Sequence, residues 1–92
     1  METNKKKYYA YFVLCNDGSL YGGYTVDVRQ RVATHNAGKG AKYTRARRPV
    51  RLAFCLSVPG RRQAMRLEAR LKKLPTAQKW ALVRWQGLLE DI

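Results

Sequence analysis

Residues 8–25 read YYAYFVLCNDGSLYGGYT, and five of the chain's six Tyr fall here, at 8, 9, 11, 21 and 24. "YYAYFVLC" is aromatic and aliphatic, as a strand requires. "NDG" supplies turn chemistry, with Gly18 free to take a positive φ, and "SLYGGYT" resumes a strand. Two loops compete. A two-residue Asp17-Gly18 turn puts Tyr11 and Tyr21 on opposite faces of the hairpin. A three-residue Asn16-Asp17-Gly18 loop puts them on the same face. The side-chain pattern favours the second. It groups Tyr8, Ala10, Phe12, Leu14, Leu20, Gly22, Tyr24 and Val26 on one face, which reads as core. Tyr9, Tyr11, Val13, Cys15, Ser19, Tyr21, Gly23 and Thr25 form the other, more polar face. A core alone does not call for so many phenols, since Val, Ile or Phe fill space without a hydroxyl to satisfy.

Beyond the hairpin, Thr25 or Asp27 can cap a helix over about Val26 to Asn36. "NAGKGAKYTRARRP" reads as a basic loop, and "VRLAFCLSV" as a third strand ended by Pro59-Gly60. "RRQAMRLEARLKKL" has helical period, with Ala64, Leu67, Leu71 and Leu74 on one stripe, and Pro75 ends it. Thr76 can cap a last helix, "AQKWALVRW". On that helix Trp80 and Trp85 read as core. The order β-β-α-β-α-α predicts an α+β fold, a small three-stranded mixed sheet flanked by helices. Residues 1–7 read as a basic N-terminal tail, 8–85 as the single domain, and 86–92 as a C-terminal tail.

Ninety-two residues with 46% hydrophobic content suit one modest core. No apolar run reaches bilayer length and no signal peptide is legible, so a cytoplasmic protein without a membrane role is expected. Cys15 and Cys55 lie in apolar runs and read as buried thiols. The charge is more telling. Nineteen Lys and Arg against six Asp and Glu give a formal net charge of +13. Between residues 28 and 89 the one acid is Glu68, among sixteen Lys and Arg. Such a field favours a polyanion, and nucleic acid is the usual one.

Arg31 and His35 are four apart and share a helix face. Glu68 sits at the edge of its helix's apolar stripe. It can pair with Lys72 four residues on, or aim a carboxylate at a divalent cation. Singly, each is ordinary. Together, "YAY" at 9–11, "YGG" at 21–23, Arg31, His35 and Glu68 resemble the GIY-YIG nuclease superfamily. Tyr9 stands where that motif has Gly, and Gly22 where it has Ile. The stretch "HNAGKGAKYTRARRPVRL" resembles a branch of short stand-alone bacterial members, similar to the nuclease domain of structure-specific endonuclease subunits.

The resemblance implies divalent-metal-dependent hydrolysis of DNA phosphodiesters, with Mg2+ or Mn2+ as cofactor. Tyr11 and Tyr21 match the two motif tyrosines. Tyr11 would take a proton from the attacking water and pass its own to His35, while Tyr21 holds the water or the phosphate, although the two Tyr can exchange roles. A free phenol is ionised only about one part in a thousand at pH 7, a shortfall of roughly 4 kcal/mol. Arg31 would neutralise phosphoryl charge, and Glu68 would anchor the metal.

Lys39, Lys42, Arg45, Arg47 and Arg48 would meet DNA phosphates. Tyr43 would either stack on an unpaired base or dock on the domain. Tyr8, Tyr9 and Tyr24 are assigned to core or strand-edge packing. The late Asn of many family members has no counterpart, leaving Thr76 or Gln78 as substitutes. Family nucleases usually take substrate choice from a second DNA-binding domain, and none is expected here. That leaves branched or single-stranded DNA shape, or a protein partner for targeting. The competing class is a non-catalytic nucleic-acid-binding module on the same scaffold.

Overall fold

A computed structural model describes residues 7–89. The expected N-terminal tail, apart from Lys7, and the last three residues of the expected C-terminal tail lie outside that range. The hairpin comprises β1 (Tyr8–Leu14) and β2 (Leu20–Thr25). Cys15 N donates to Ser19 O at 2.8 Å, and Gly18 N to Cys15 O at 2.9 Å. Gly18 has φ 87°. This is the three-residue loop, closed by a left-handed glycine. Tyr11 therefore pairs with Gly23 and Val13 with Tyr21, which puts Tyr11 and Tyr21 on the same face.

β3 (Arg51–Val58) pairs with the other edge of β1, giving the order β2-β1-β3. Every hydrogen-bonded pair is antiparallel, so the sheet is not mixed. β2 and β3 do run the same way, but β1 lies between them. The β1–β3 register shifts between Phe12 and Val13, which face Phe54 and Leu52 and leave Ala53 as the extra residue.

Both faces of the sheet are covered. Ala10, Phe12 and Phe54 pack with Leu71 of α3 (Arg61–Lys73) and Val83 of α4 (Thr76–Gln86). On the other face Tyr11, Val13, Cys15 and Val50 pack with Val32 of α1 (Val28–Asn36). Asp27 caps α1, accepting from Gln30 N at 3.0 Å. A single helical turn, α2 (Lys42–Arg45), lies inside the stretch expected to be loop.

Three expectations at the C-terminal end are corrected. Pro75, not Thr76, occupies the N-cap position of α4, with no side-chain cap bond. Its fixed φ already suits a helix entry. Trp80 packs against the core, but Trp85 is 74% exposed. Five residues at 100° each put the two indoles on different faces. Residues 86–89 are not a loose tail either. Gln86 accepts from Cys55 N at 2.9 Å and donates to Cys55 O at 2.8 Å, covering part of the β3 edge, and Leu89 is buried in the core. Cys15 is buried, Cys55 half-buried, and both are free thiols.

Candidate active site

Tyr11, in the middle of the central strand, has its phenolic oxygen 2.9 Å from His35 Nε2. The phenol crosses β2 at its partner Gly23. A Cβ there would lie 2.5 Å from the hydroxyl, so only glycine lets Tyr11 reach α1. His35 is the one buried residue of α1. Its Nδ1 lies 2.8 Å from Thr44 Oγ1, and the Thr44 hydroxyl donates to Ala41 O at 3.0 Å. A carbonyl can only accept, so the Thr44 proton is committed and Thr44 accepts from His35 Nδ1–H. That fixes the tautomer and leaves a lone pair on Nε2 for the Tyr11 proton. Gly40 closes the pocket, because a Cβ there would collide with His35 Nδ1.

Tyr11, Tyr21, Arg31, His35 and Glu68 all line one open concavity of about 550 Å³. Tyr8 and Tyr24, expected only to pack, line it as well, whereas Tyr9 lines a separate hollow against α1. Thr76 and Gln78 line neither. Thr44 is the site residue that sequence reasoning missed. The one available signal was a hydroxyl residue shortly after the paired glycines of the basic loop.

Burial dominates the electrostatics. It pushes the Tyr11 phenol up to about 12; Arg31 opposes the shift and the nearby Tyr21 and Glu68 add to it. Burial, then Arg31, holds His35 below its usual range, so its imidazole is neutral at pH 7. Glu68 Oε2 lies 2.9 Å from Lys72 Nζ. The expected helical pair therefore forms, and Glu68 still reaches the concavity.

The basic loop is docked rather than loose. The Tyr43 ring stacks on Tyr21 at 5.6 Å between centroids, and the Arg47 guanidinium lies 3.8 Å from the Tyr43 centroid. Tyr43 also donates to Ser19 Oγ at 2.8 Å, and Arg47 pairs with Asp17 at 2.9 Å. Tyr43 is thus docked on the domain, with its ring engaged by Tyr21 and Arg47. Arg48 donates to Arg45 O at 2.9 Å. Lys39, Lys42 and Arg45 are exposed, with no side-chain partner among the described residues.

The chain matches the GIY-YIG catalytic domain family over residues 7–81. It belongs to the GIY-YIG family. The domain is 54% identical to a UPF0213 protein of Bacillus velezensis over 79 residues, covering 86% of this chain and 78% of that one. It is 53% identical to a UPF0213 protein of Halobacterium salinarum over 75 residues, covering 82% and 97%. The solution structure of a UPF0213 protein from Bacillus halodurans aligns with a TM-score of 0.59 at 44% identity, covering 92% of this chain and 90% of that one. A GIY-YIG catalytic domain is a nuclease domain, so nucleic acid is the class of molecule it binds. No helix among the described residues is long and apolar enough to cross a membrane.

Proposed function

We propose that this GIY-YIG domain is a metal-dependent DNA endonuclease that hydrolyses phosphodiester bonds. The observation that carries the reading is the hydrogen-bonded chain Tyr11–His35–Thr44, which ends in the same concavity as Arg31 and Glu68. A binding surface has no need of a buried histidine with a fixed tautomer and an empty Nε2.

The resting phenol is protonated, since burial holds its proton. Tyr11 therefore acts as a relay and not as a standing phenolate. As water oxygen attacks phosphorus, Tyr11 accepts the water proton while its own passes to Nε2 of neutral His35. The phosphorus–oxygen bond to the leaving group breaks, and that oxygen takes up a solvent proton. Arg31 offsets the charge that grows on the phosphoryl oxygens. Tyr21 is held between the His35 ring, at 5.6 Å, and the Tyr43 stack, so it presents a fixed hydroxyl to water or phosphate.

The donor set fits a hydrated magnesium or manganese ion. Among the described residues Glu68 is the one carboxylate that lines the concavity, and no three of His, Cys, Asp and Glu converge. Magnesium keeps most of its waters and leans on substrate phosphates, so one carboxylate suffices. When bound, the ion would polarise the phosphate and stabilise the leaving oxygen.

Lys39, Lys42 and Arg45 would hold flanking phosphates, with smaller parts for Arg47 and Arg48, whose guanidinium groups are already bonded internally. The raised phenol is the observation that favours the second reading, a binding module without chemistry. The deciding experiment is a nicking assay on branched, flapped and plain duplex DNA, with and without Mg2+ or Mn2+. Cutting that requires metal supports the endonuclease. No cutting of any of these DNAs removes it.

A further inference from the structure

Lys72 belongs to no motif, yet it makes three contacts at the site. Its Nζ lies 2.9 Å from Glu68 Oε2. The same ammonium stands 5.6 Å from the Tyr21 ring centroid. Its stem passes over β2 at Gly22, where an added Cβ would lie 3.4 Å from Lys72 Cγ and 3.3 Å from the Phe12 ring. Gly22 is the position at which the motif has Ile. A branched side chain there would extend into the volume held by the Lys72 stem and Phe12. The departure at 22 and the lysine at 72 are complementary.

Glu68 has two oxygens, and one of them faces an ammonium. A divalent cation seeks the same negative charge. Two cations on one carboxylate oxygen repel each other, so occupancy by one disfavours the other. Arg31 adds a second positive charge to the concavity, leaving the side chains at this end with more positive than negative charge. Such a site resists a lone dication until a phosphodiester brings its own negative charge.

We propose that Lys72 is a positioning residue that competes with the divalent cation for Glu68. Without metal, its ammonium neutralises the carboxylate and keeps it aligned. With metal on Glu68, Lys72 leaves Oε2, and its ammonium turns to the phosphate that arrives with the ion. The protein alone then binds metal weakly, and metal and nucleic acid strengthen each other's binding by the same factor. The inference rests on the reading of Glu68 as the metal ligand. An ordinary solvated i,i+4 pair would need neither Gly22 nor the Tyr21 face.

The test is Mn2+ binding to the full chain without DNA, followed through the electron paramagnetic resonance signal of free Mn2+. Lys72→Met keeps the stem over Gly22 and removes the charge. Lys73→Met removes the same charge one residue on, from an exposed side chain with no contact to Glu68. An exposed ion pair shifts an equilibrium by at most about fivefold, so Lys72→Met should lower the Mn2+ Kd about two- to fivefold. Lys73→Met should change it less, Lys72→Arg should resemble wild type, and Glu68→Gln should abolish binding. Equal Mn2+ affinity in wild type and Lys72→Met, with binding lost in Glu68→Gln, overturns the role of Lys72 and leaves the metal site standing. Tightening by Lys73→Met as large as that by Lys72→Met overturns the role of Lys72 as well. Mn2+ binding by Glu68→Gln as strong as wild type removes the metal reading and this inference together. Lys72→Arg guards against misfolding, because a folded Lys72→Arg that binds Mn2+ as tightly as Lys72→Met also overturns competition by charge.

Discussion

The phenolic oxygen of Tyr11 and Nε2 of His35 are 2.9 Å apart although the residues are 24 positions apart in the chain. Burial acts on the two partners in complementary ways. It holds the proton on Tyr11 and keeps a second proton off His35. The pair therefore rests with a full donor beside an empty acceptor. That arrangement moves a proton only when a second proton, from water, refills the phenol. Glycines make it reachable: Gly23 lets the phenol cross β2, and Gly40 lets the loop close on the imidazole.

Thr44 should matter as much as the motif residues. Thr44→Val keeps the shape and leaves His35 Nδ1–H buried without an acceptor, a loss of about 1–3 kcal/mol of stability. It also frees the imidazole to invert its tautomer. Cleavage should fall about tenfold to a hundredfold, a share of what a positioned base supplies. Thr44→Ser should restore both the melting temperature and the rate. Undiminished cleavage by a folded Thr44→Val protein would show that the tautomer is not part of the mechanism.

The pH profile should carry the signature of the pair. His35 is neutral in the folded protein and protonates more readily when unfolded. Its contribution to stability is therefore complete above its ordinary 6.5 and declines as pH falls toward the lower folded value. Cleavage should decline over the same acid range, as Nε2 fills. Tyr11 has the opposite sign. Its raised value stabilises the fold below 10, and this is lost as pH climbs from 10 toward about 12. The rate should therefore be flat from about pH 7 to 9. A tenfold rise per pH unit across that range would mean that a standing phenolate, and not the relay, is the base.

Much of this was legible because it depends on local period. Alternation along residues 8–25 and the Asn16-Asp17-Gly18 loop set the register that puts Tyr11 beside Tyr21. The spacing of Arg31 and His35 put them on one face of α1. What escaped depends on contacts across the chain. Thr44 reaches His35 only because α2 forms a turn where composition suggested open loop. Tyr43 docks because Tyr21 and Arg47 offer it a ring and a guanidinium, and neither partner is visible in the loop itself. For Trp85, residue type points to the core, while its helical phase points to solvent, and the phase wins.

The loop cations divide into two groups that salt should separate. Affinity for duplex DNA falls with the logarithm of salt, with a slope near −0.9 per phosphate contact. Replacing Lys42 and Arg45 by Ala should flatten that slope by up to about two units. Arg47→Ala should mainly loosen the Tyr43 dock and lower stability, because its guanidinium is held by Asp17 and the Tyr43 carbonyl. The check is fluorescence anisotropy on labelled duplex across salt concentrations. Affinity that does not change with salt would refute the basic surface as the binding face.

Glu68→Gln and Tyr11→Phe separate an enzyme from a binding module. Glu68→Gln keeps shape and hydrogen bonding but removes the charge that would hold a divalent cation. It should abolish cleavage and, with no divalent metal present, leave DNA binding unchanged or tighter, because a negative charge near phosphate has gone. Tyr11→Phe removes only the hydroxyl that bonds to His35. Nε2 then loses its partner, at a stability loss of about 1–3 kcal/mol, and the relay has no donor. Cleavage should be lost here too while binding persists. In a binding module neither change would reach beyond that stability effect, since no proton moves and no metal is held. The measurement pairs a nicking assay with anisotropy on the same DNA, after wild type has been shown to cut with metal. Undiminished cutting by folded Glu68→Gln would defeat the metal role of Glu68. Undiminished cutting by folded Tyr11→Phe would defeat the relay and pass the base's role to Tyr21, whose ring also meets the His35 ring at 5.6 Å.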